Sequence, residues 1–366
     1  MSPKIKYLDL NLNRRILFAS DIHGNYKLFD ALLKKVNFNN LDYLFIIGDM
    51  IEKSDYNLDT LDYFMALDKK ENVFILCGNC DNVLSYMIKD VDDLRLKHYA
   101  FDLKHTILLE FAKKMNILLD QNSNMEELCH LFYDKFRKYY DFVLNLPHCI
   151  IVNNKLCVVH GGISSLDEIS NNALDLMKND NFYEQGFTPK LIEIVGHYPV
   201  INYEHQIPSL NPIIDLNKKI ISIDGGMSVL PWSQLNMLIL DNLKNFNFSY
   251  EYIDQYQTVV VKHKESNLNH NSFNVTKKIE VSILEEDNDF FIVKYENYRL
   301  YVLKNNLIKK DNRYFVYNAF NYFHNLDESE HVSLVYKGSN LSIVKKNGIL
   351  GLCHTKSLEV YDGRQI

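Results

Sequence analysis

Within the first 200 residues, five apolar runs each end in a cluster of Gly, Asp, His or Asn. They are "RILFASDIHG" (15–24), "DYLFIIGD" (42–49), "NVFILCGNCD" (72–81), "KLCVVHGG" (155–162) and "IEIVGH" (192–197). An unbroken apolar run of this length predicts a strand covered on both faces, because alternation would suffice for a half-solvated one. "NYKLFDALLKKV" (25–36) and "NLDTLDYFMAL" (57–67) carry helical spacing between the runs, with Asn57 a candidate cap of the second. Strand and helix in alternation predict an α/β sheet enclosed by helices. The polar clusters then fall where such sheets bind ligands, outside the carboxyl ends of the strands.

From 82 to 146 the pattern turns helical, charged and aromatic, as in "ELCHLFYDKFRKYYDFVLN", and predicts a helical insertion flanking the site. Its stripe of Phe132, Phe136, Tyr139, Tyr140 and Val143 has helical spacing and is expected in the core. "HCIIV", "KLCVVH", "IEIVGH" and "KKIISIDGG" resume strands, and "LNMLILD" with "FNFSYEYID" predicts a closing hairpin. The Asn- and His-rich "KHKESNLNHNSFN" (262–274) lacks an apolar period and reads as a linker. Beyond it, residues 281–307 align without gaps to 332–358, sharing Val-Ser at 281/332, Ile-Val-Lys at 292–294/343–345 and Leu at 307/358. Such a repeat predicts two sets of short antiparallel strands. The expected organisation is a first domain over 1–260, a linker over 261–278 and a small all-β module over 279–366.

At 366 residues the chain exceeds one ordinary domain. No apolar run approaches the ~18 residues that span a bilayer, and "MSPKIKYLDLNLN" lacks the regions of a signal peptide. Six scattered cysteines predict free thiols in a reducing compartment. The expectation is a cytoplasmic protein with no membrane partner. Cys77 and Cys80 form a C-x-x-C, but no second pair exists to complete a zinc site. A net charge of −7 argues against generic nucleic-acid binding, which needs clustered Lys and Arg. It leaves a nucleotide open as a substrate.

Asp21, His23, Asp49, Asn79, His160 and His197 stand at the strand ends. Carboxylate, imidazole and amide oxygen are the donors of divalent metals such as Mn²⁺, Fe and Zn²⁺. One such motif alone is commonly a turn. Five in succession point to a metal centre.

Over residues 14 to 240 the sequence resembles the calcineurin-like metallophosphoesterases, specifically a bacterial type of the phosphoprotein phosphatase branch. The five motifs carry the resemblance, together with "FVLNLPHCIIVNNKLCVVHGG" and the single histidine of "GHYP". It implies a four-layer α-β-β-α sandwich with a helical insertion, and the C-terminal repeats resemble SH3-like modules. It also implies two divalent cations, Mn²⁺ first with Fe or Zn²⁺ as alternatives. Asp21 and His23 would bind one, Asp49 would bridge both, and Asn79, His160 and His197 would bind the second. Such a pair activates a bridging hydroxide and neutralises the charge that builds during in-line displacement at phosphorus. Catalytic roles then fall to Asp49, Lys53 and Asn79 and a phosphate contact to Lys53, with Arg95 of the insertion a candidate second contact.

Three positions depart from the branch. Cys80 stands where it has histidine, Glu52 where it has Asp, and Lys53 where it has Arg. The usual proton donor to the leaving oxygen is then missing, and Lys53 keeps a point charge without Arg's fork. His98 and His105 are candidate replacements for the acid, Arg137 is a further candidate phosphate contact, and Asp224 is read as structural. The leading expectation is a Ser/Thr phosphatase-like phosphoesterase acting on a phosphorylated protein or nucleotide without a histidine acid. The alternatives are a nucleotide or dinucleoside polyphosphate hydrolase or phosphodiesterase, and a non-catalytic scaffold. In each case the β module would bind a protein or peptide partner.

Overall fold

The apolar runs form strands in the computed structural model, which describes residues 2–89, 91–164, 172–267 and 271–359. Two units result, one of Met1–Pro199 with Pro212–Ile253 and one of Val200–Asn211 with Asp254–Ile366. The first begins with β1 (Ile5–Leu8), β2 (Ile16–Ala19), α1 (Tyr26–Lys35), β3 (Tyr43–Ile47), α2 (Asn57–Leu67) and β4 (Val73–Leu76). The insertion follows as α3 (Val83–Lys89), α4 (Asp93–Asp102), α5 (Ile107–Lys114), α6 (Met125–Lys135) and α7 (Arg137–Asn145). Then come β5 (Cys149–Val152), β6 (Leu156–Val159), α8 (Ala173–Met177) and β7 (Ile192–Val195). The unit closes with β8 (Ile213–Asp215), β9 (Ile220–Ser222), β10 (Leu235–Leu240) and β11 (Phe248–Ile253). One sheet runs β11-β10-β2-β3-β4 and the other β1-β5-β6-β7-β9-β8.

Successive residues of a strand face opposite ways, and here both faces are covered. Ile16 and Phe18 pack between the sheets with Phe45, Ile47, Ile150, Val158 and Ile194. Leu17 and Ala19 point outward to Phe29, Leu32, Leu61 and Phe64 of α1 and α2. On the outer face of the second sheet, Cys149, Ile151, Cys157 and Val159 meet Leu176 and Phe182. The order is α-β-β-α, which is why these runs carry no polar alternation. Asn57 does not cap α2; it is its first residue, and its Oδ1 accepts from the Glu52 N–H at 2.7 Å. The insertion's stripe is core, with Phe132 and Tyr140 fully buried and Tyr139 and Val143 nearly so. It is split at Phe136, whose backbone leaves the helix (φ −114°, ψ 23°) and whose ring stacks on Phe111 at 4.3 Å.

The second unit contains β12 (Gln257–Val261), β13 (Asn274–Val275), β14 (Ile279–Glu286), β15 (Phe290–Tyr295), β16 (Tyr298–Leu303) and β17 (Leu307–Lys310). It continues with β18 (Arg313–Val316), β19 (Ala319–Phe320), β20 (His331–Tyr336), β21 (Leu341–Lys346), β22 (Ile349–His354) and β23 (Leu358–Glu359). The aligned repeats build the same parts. Each has a register shift at the equivalent place, Ile283/Glu285 and Leu334/Tyr336. Each makes a 3-10 turn, Lys304–Asn306 and Thr355–Ser357, before its last strand. A fifth strand completes each, β18 following the first repeat and β12 preceding both. β18 places Tyr314 opposite Val281 and Val316 opposite Leu307. β12 places Val259 opposite Val332 and Val261 opposite Leu358, so it is the counterpart of β18 supplied from ahead of both repeats.

This moves the boundaries expected from the sequence. Residues 254–260 fall in the second unit rather than the first, and described residues of the stretch 261–278 are paired within that unit. β13 lies within it, and Glu265 exchanges backbone bonds with Leu326 at 2.9 and 3.0 Å. Residues 200–211 also join the second unit. The Asn274 N–H donates to His205 O, the Leu210 N–H to Gly348 O and the Leu350 N–H to Pro208 O. Pairing between such distant segments leaves no local composition change to read. Among the described residues no helix is long and apolar enough to cross a membrane. All six cysteines are free.

Candidate metal centre

Asp21 and His23 follow β2, Asp49 follows β3, Asn79 and Cys80 follow β4, His160 follows β6 and His197 follows β7. Asp21, His23, Asp49 and His197 all adopt left-handed backbone, at φ 54°, 45°, 51° and 66°. Non-glycine residues seldom do so unless their surroundings enforce it. Here the turns are laced together. The Asp21 N–H donates to Gly48 O at 3.1 Å, His23 to Asp49 O at 3.0 Å and Gly24 to Met50 O at 2.8 Å. Buried Asp81 ties the next turn in, accepting from Met50 and Gly78 N–H groups at 2.9 Å each. Burial and the nearby Asp49 charge raise its pKa to about 7. Two glycines permit the close approach. A Cβ at Gly78 would lie 2.2 Å from Asp49 Oδ1, and one at Gly196 would lie 2.4 Å from Asp21 Oδ2.

Asp49 stands between two groups of donors. Its Oδ2 lies 3.8 Å from His23 Nε2, which is also 3.8 Å from Asp21 Oδ1. Its Oδ1 lies 3.3 Å from His160 Nε2 and accepts the Cys80 N–H at 2.8 Å. The ligand atoms of His23, Asp49 and Cys80 fall within 4.8 Å of one another, and so do those of Asp49, His160 and His197. The far nitrogen of each imidazole is engaged: His23 Nδ1 by Ile51 O at 3.1 Å, His160 Nδ1 by Ile47 O at 2.6 Å, and His197 Nε2 by Asp180 Oδ1 at 2.7 Å. These contacts turn His23 Nε2, His160 Nε2 and His197 Nδ1 towards the centre, the first and last as lone pairs and His160 Nε2 as one that a cation would take over from a proton.

Asn79 Oδ1 sits 3.2 Å from His160 Nε2, in the position 2.8 Å from His197 Nδ1. An amide oxygen facing the His197 Nδ1 lone pair is repelled unless the amide turns its nitrogen inward or a cation sits between them. The donor set therefore fits a divalent cation. In the other group the Lys53 ammonium donates to His23 Nε2 at 3.2 Å. Burial alone would lower the His160 pKa, but Asp49 and Asp21 outweigh it and raise it to about 10. The centre attracts positive charge. Asp224 behaves differently: its Oδ1 accepts from the Gly226 N–H at 2.7 Å, its buried Oδ2 has no hydrogen-bond partner among the described residues, and burial with the Asp21 charge raises its pKa well above the usual carboxylate value.

The structure brings all six expected ligands together and treats the other candidates differently. Cys80 joins the His23 and Asp49 group, so its thiol is within reach of a cation held there. Burial and then Asp49 push its pKa well above the usual thiol value, so it is a neutral group. Glu52 does not serve Cys80. Its Oε1 accepts the Ile107 N–H at 2.9 Å, at the start of α5. Lys53 and Arg95 line one cavity of about 320 Å³, with the Arg95 guanidinium 4.8 Å from the Tyr86 ring centre. His98 pairs with Asp102, His105 with Asp55 at 2.7 Å and Arg137 with Asp141 at 3.0 Å, and none of the three lines that cavity. Asp180 was not legible, since no strand end or motif marks its loop. Asp224, at the strand end of "IDGG", is read from the sequence as structural, and here it bonds to Gly226.

Burial raises the Glu52 pKa from 4.5 to about 7. A carboxyl so raised adds stability while protonated; the contribution is full below 4.5 and is lost as pH rises through about 7. Glu52→Gln keeps an acceptor for Ile107 without the charge. We expect it to resemble the parent near about pH 5 and to exceed it by about 3 kcal/mol near about pH 8. Denaturation of the first unit at both pH values measures this, and an equal offset at both would mean that Glu52 does not titrate in this window.

Residues 14–218 match the family model described as calcineurin-like phosphoesterase. Symmetrical bis(5'-nucleosyl)-tetraphosphatase of Buchnera aphidicola subsp. Schizaphis graminum is 38% identical over 85 residues, 23% of this chain and 30% of the relative. That of Wigglesworthia glossinidia brevipalpis is 34% identical over 105 residues, 27% and 37% of the two chains. The chain thus spans about a third of the length of the curated relatives it matches. Among solved structures, a protein serine/threonine phosphatase from Saccharomyces cerevisiae is 12% identical, with a TM-score of 0.43 over 70% of this chain and 85% of that one. A cold-active protein-tyrosine phosphatase of a Shewanella species is 16% identical, with a TM-score of 0.42 over 69% and 82%.

Proposed function

The chain belongs to the calcineurin-like phosphoesterase family, and from that premise we propose that it is a two-metal phosphoesterase acting on phosphate esters or phosphoanhydrides. One observation carries the reading: the two oxygens of Asp49 serve two separate donor groups. Asp21, His23 and Asp49 would hold one cation, and Asp49, Asn79, His160 and His197 the other. Mn²⁺ suits this mixture of hard oxygen and borderline nitrogen donors. When bound, such a pair lowers the pKa of water and neutralises charge on the phosphoryl oxygens. The protein contributes the rest. Asp180 fixes the His197 ring so that Nδ1 faces inward. Lys53 supplies a cation for a phosphate oxygen, and Arg95 stands in the same cavity wall.

The leaving oxygen meets no histidine. Cys80 is a neutral thiol, and Glu52 is committed to Ile107. This favours substrates whose leaving group departs without a proton. Phosphoprotein monoesters are the class that the branch resemblance suggests. A dinucleoside polyphosphate, the class named for the tetraphosphatase relatives, is a second reading, favoured because a phosphate oxygen leaves well unaided. The repeat-containing unit, which holds none of the six ligands, would bind a partner.

Chain loaded with Mn²⁺ and desalted should retain about two ions and hydrolyse p-nitrophenyl phosphate. Less than about one ion per chain without turnover would leave the scaffold alternative standing.

A further inference from the structure

We infer that the cavity of about 320 Å³ beneath the helical insertion receives a planar aromatic group attached to the substrate phosphate, an aryl ring or a nucleobase. The inference deepens the phosphoesterase reading and rests on it. Lys53, Asn79 and Cys80 line this cavity as well as belonging to the metal centre, so the cavity is contiguous with the place where a phosphate would be held. The remaining wall comes from α3, α4 and the turn after them.

That wall is suited to a flat, apolar body with an anionic end. Val83, Leu96 and Leu103 offer aliphatic surface, and Tyr86 and Tyr99 offer rings. The planar guanidinium of Arg95 lies 4.8 Å from the Tyr86 ring centre, a cation and an aromatic face of the kind that stack on π systems. Lys53, Arg95 and Lys104 bring positive charge. The two acids in the wall are already engaged: Asp92 accepts the Arg95 N–H at 3.1 Å as the cap of α4, and Glu52 accepts the Ile107 N–H. The volume stands at the low end of the ~300–1,000 Å³ usual for small-molecule sites. That volume suits one ring system.

Calorimetric titration of the Mn²⁺-loaded chain separates this inference from the activity it rests on. Phenylphosphonate should bind at least ~10-fold tighter than methylphosphonate, the worth of burying one ring. Val83→Trp and Leu103→Trp fill the cavity and should bring that ratio to within about twofold. Leu103 is 50% exposed, so its replacement tests the cavity even where the Val83 variant fails to fold. Adenosine 5'-monophosphate preferred over ribose 5-phosphate by a similar factor assigns the cavity to a nucleobase; a preference for phenylphosphonate alone assigns it to an aryl group. A ratio near one in the parent chain, or a preference that survives both tryptophans, overturns the inference. Aromatic preference in a chain that turns over no phosphate ester would instead retain the cavity and overturn the proposed activity.

Discussion

Asp49→Asn is expected to lower turnover of p-nitrophenyl phosphate by ~10³-fold or more, and to weaken cation binding in both groups. The two Asp49 oxygens face different donors, His23 Nε2 at 3.8 Å and His160 Nε2 at 3.3 Å. An amide of the same shape keeps one neutral oxygen and turns an NH₂ group towards the other set, so one side loses a ligand and both lose a charge. The carboxylate has no nearby substitute of equal placement. Asp21 reaches the His23 side, while Asp224 bonds to Gly226. Elemental analysis and turnover on the same sample are the measurements, with circular dichroism to show that the fold persists. Activity within about tenfold of the parent, with both ions retained, would rule out a bridging role.

Rates should also fall steeply as the leaving group becomes more basic, with aryl phosphates and phosphoanhydrides ahead of alkyl phosphates by ~10²–10⁴, the usual worth of general-acid assistance. The motive is local. The position that could protonate a leaving oxygen holds the Cys80 thiol, whose proton is held tightly because burial and Asp49 raise its pKa well above the usual thiol value. Cys80→Ser should therefore keep most aryl phosphatase activity, since no proton transfer is lost. Cys80→His alone should help alkyl esters little, because the Glu52 carboxyl needed to orient a new imidazole accepts from the Ile107 N–H instead. Equal rates for alkyl and aryl esters, or a dead Cys80→Ser that still holds its cations, would show that the thiol or an unrecognised acid takes part.

The sequence alone determined the α/β class and the six candidate ligands. Both are written in short stretches: an apolar run of about five residues covers both faces of a strand, and the next few residues lie where that strand ends. Asp21, His23, Asp49, Asn79, His160 and His197 were each legible beside their own strand. The internal repeat was legible for the same reason, being a local pattern that recurs. Tertiary structure alone decided how those pieces meet. That Asp49 lies between two groups, that Asp180 holds His197, and that Glu52 serves Ile107 rather than Cys80 all depend on contacts between segments far apart in the chain. The same holds for β12, whose "QTVVV" reads like any short strand until Val259 and Val261 are found opposite Val332 and Leu358. Local pattern specifies which face of an element is buried, but the partner across that face is chosen by packing, register and hydrogen-bond geometry summed over the whole fold.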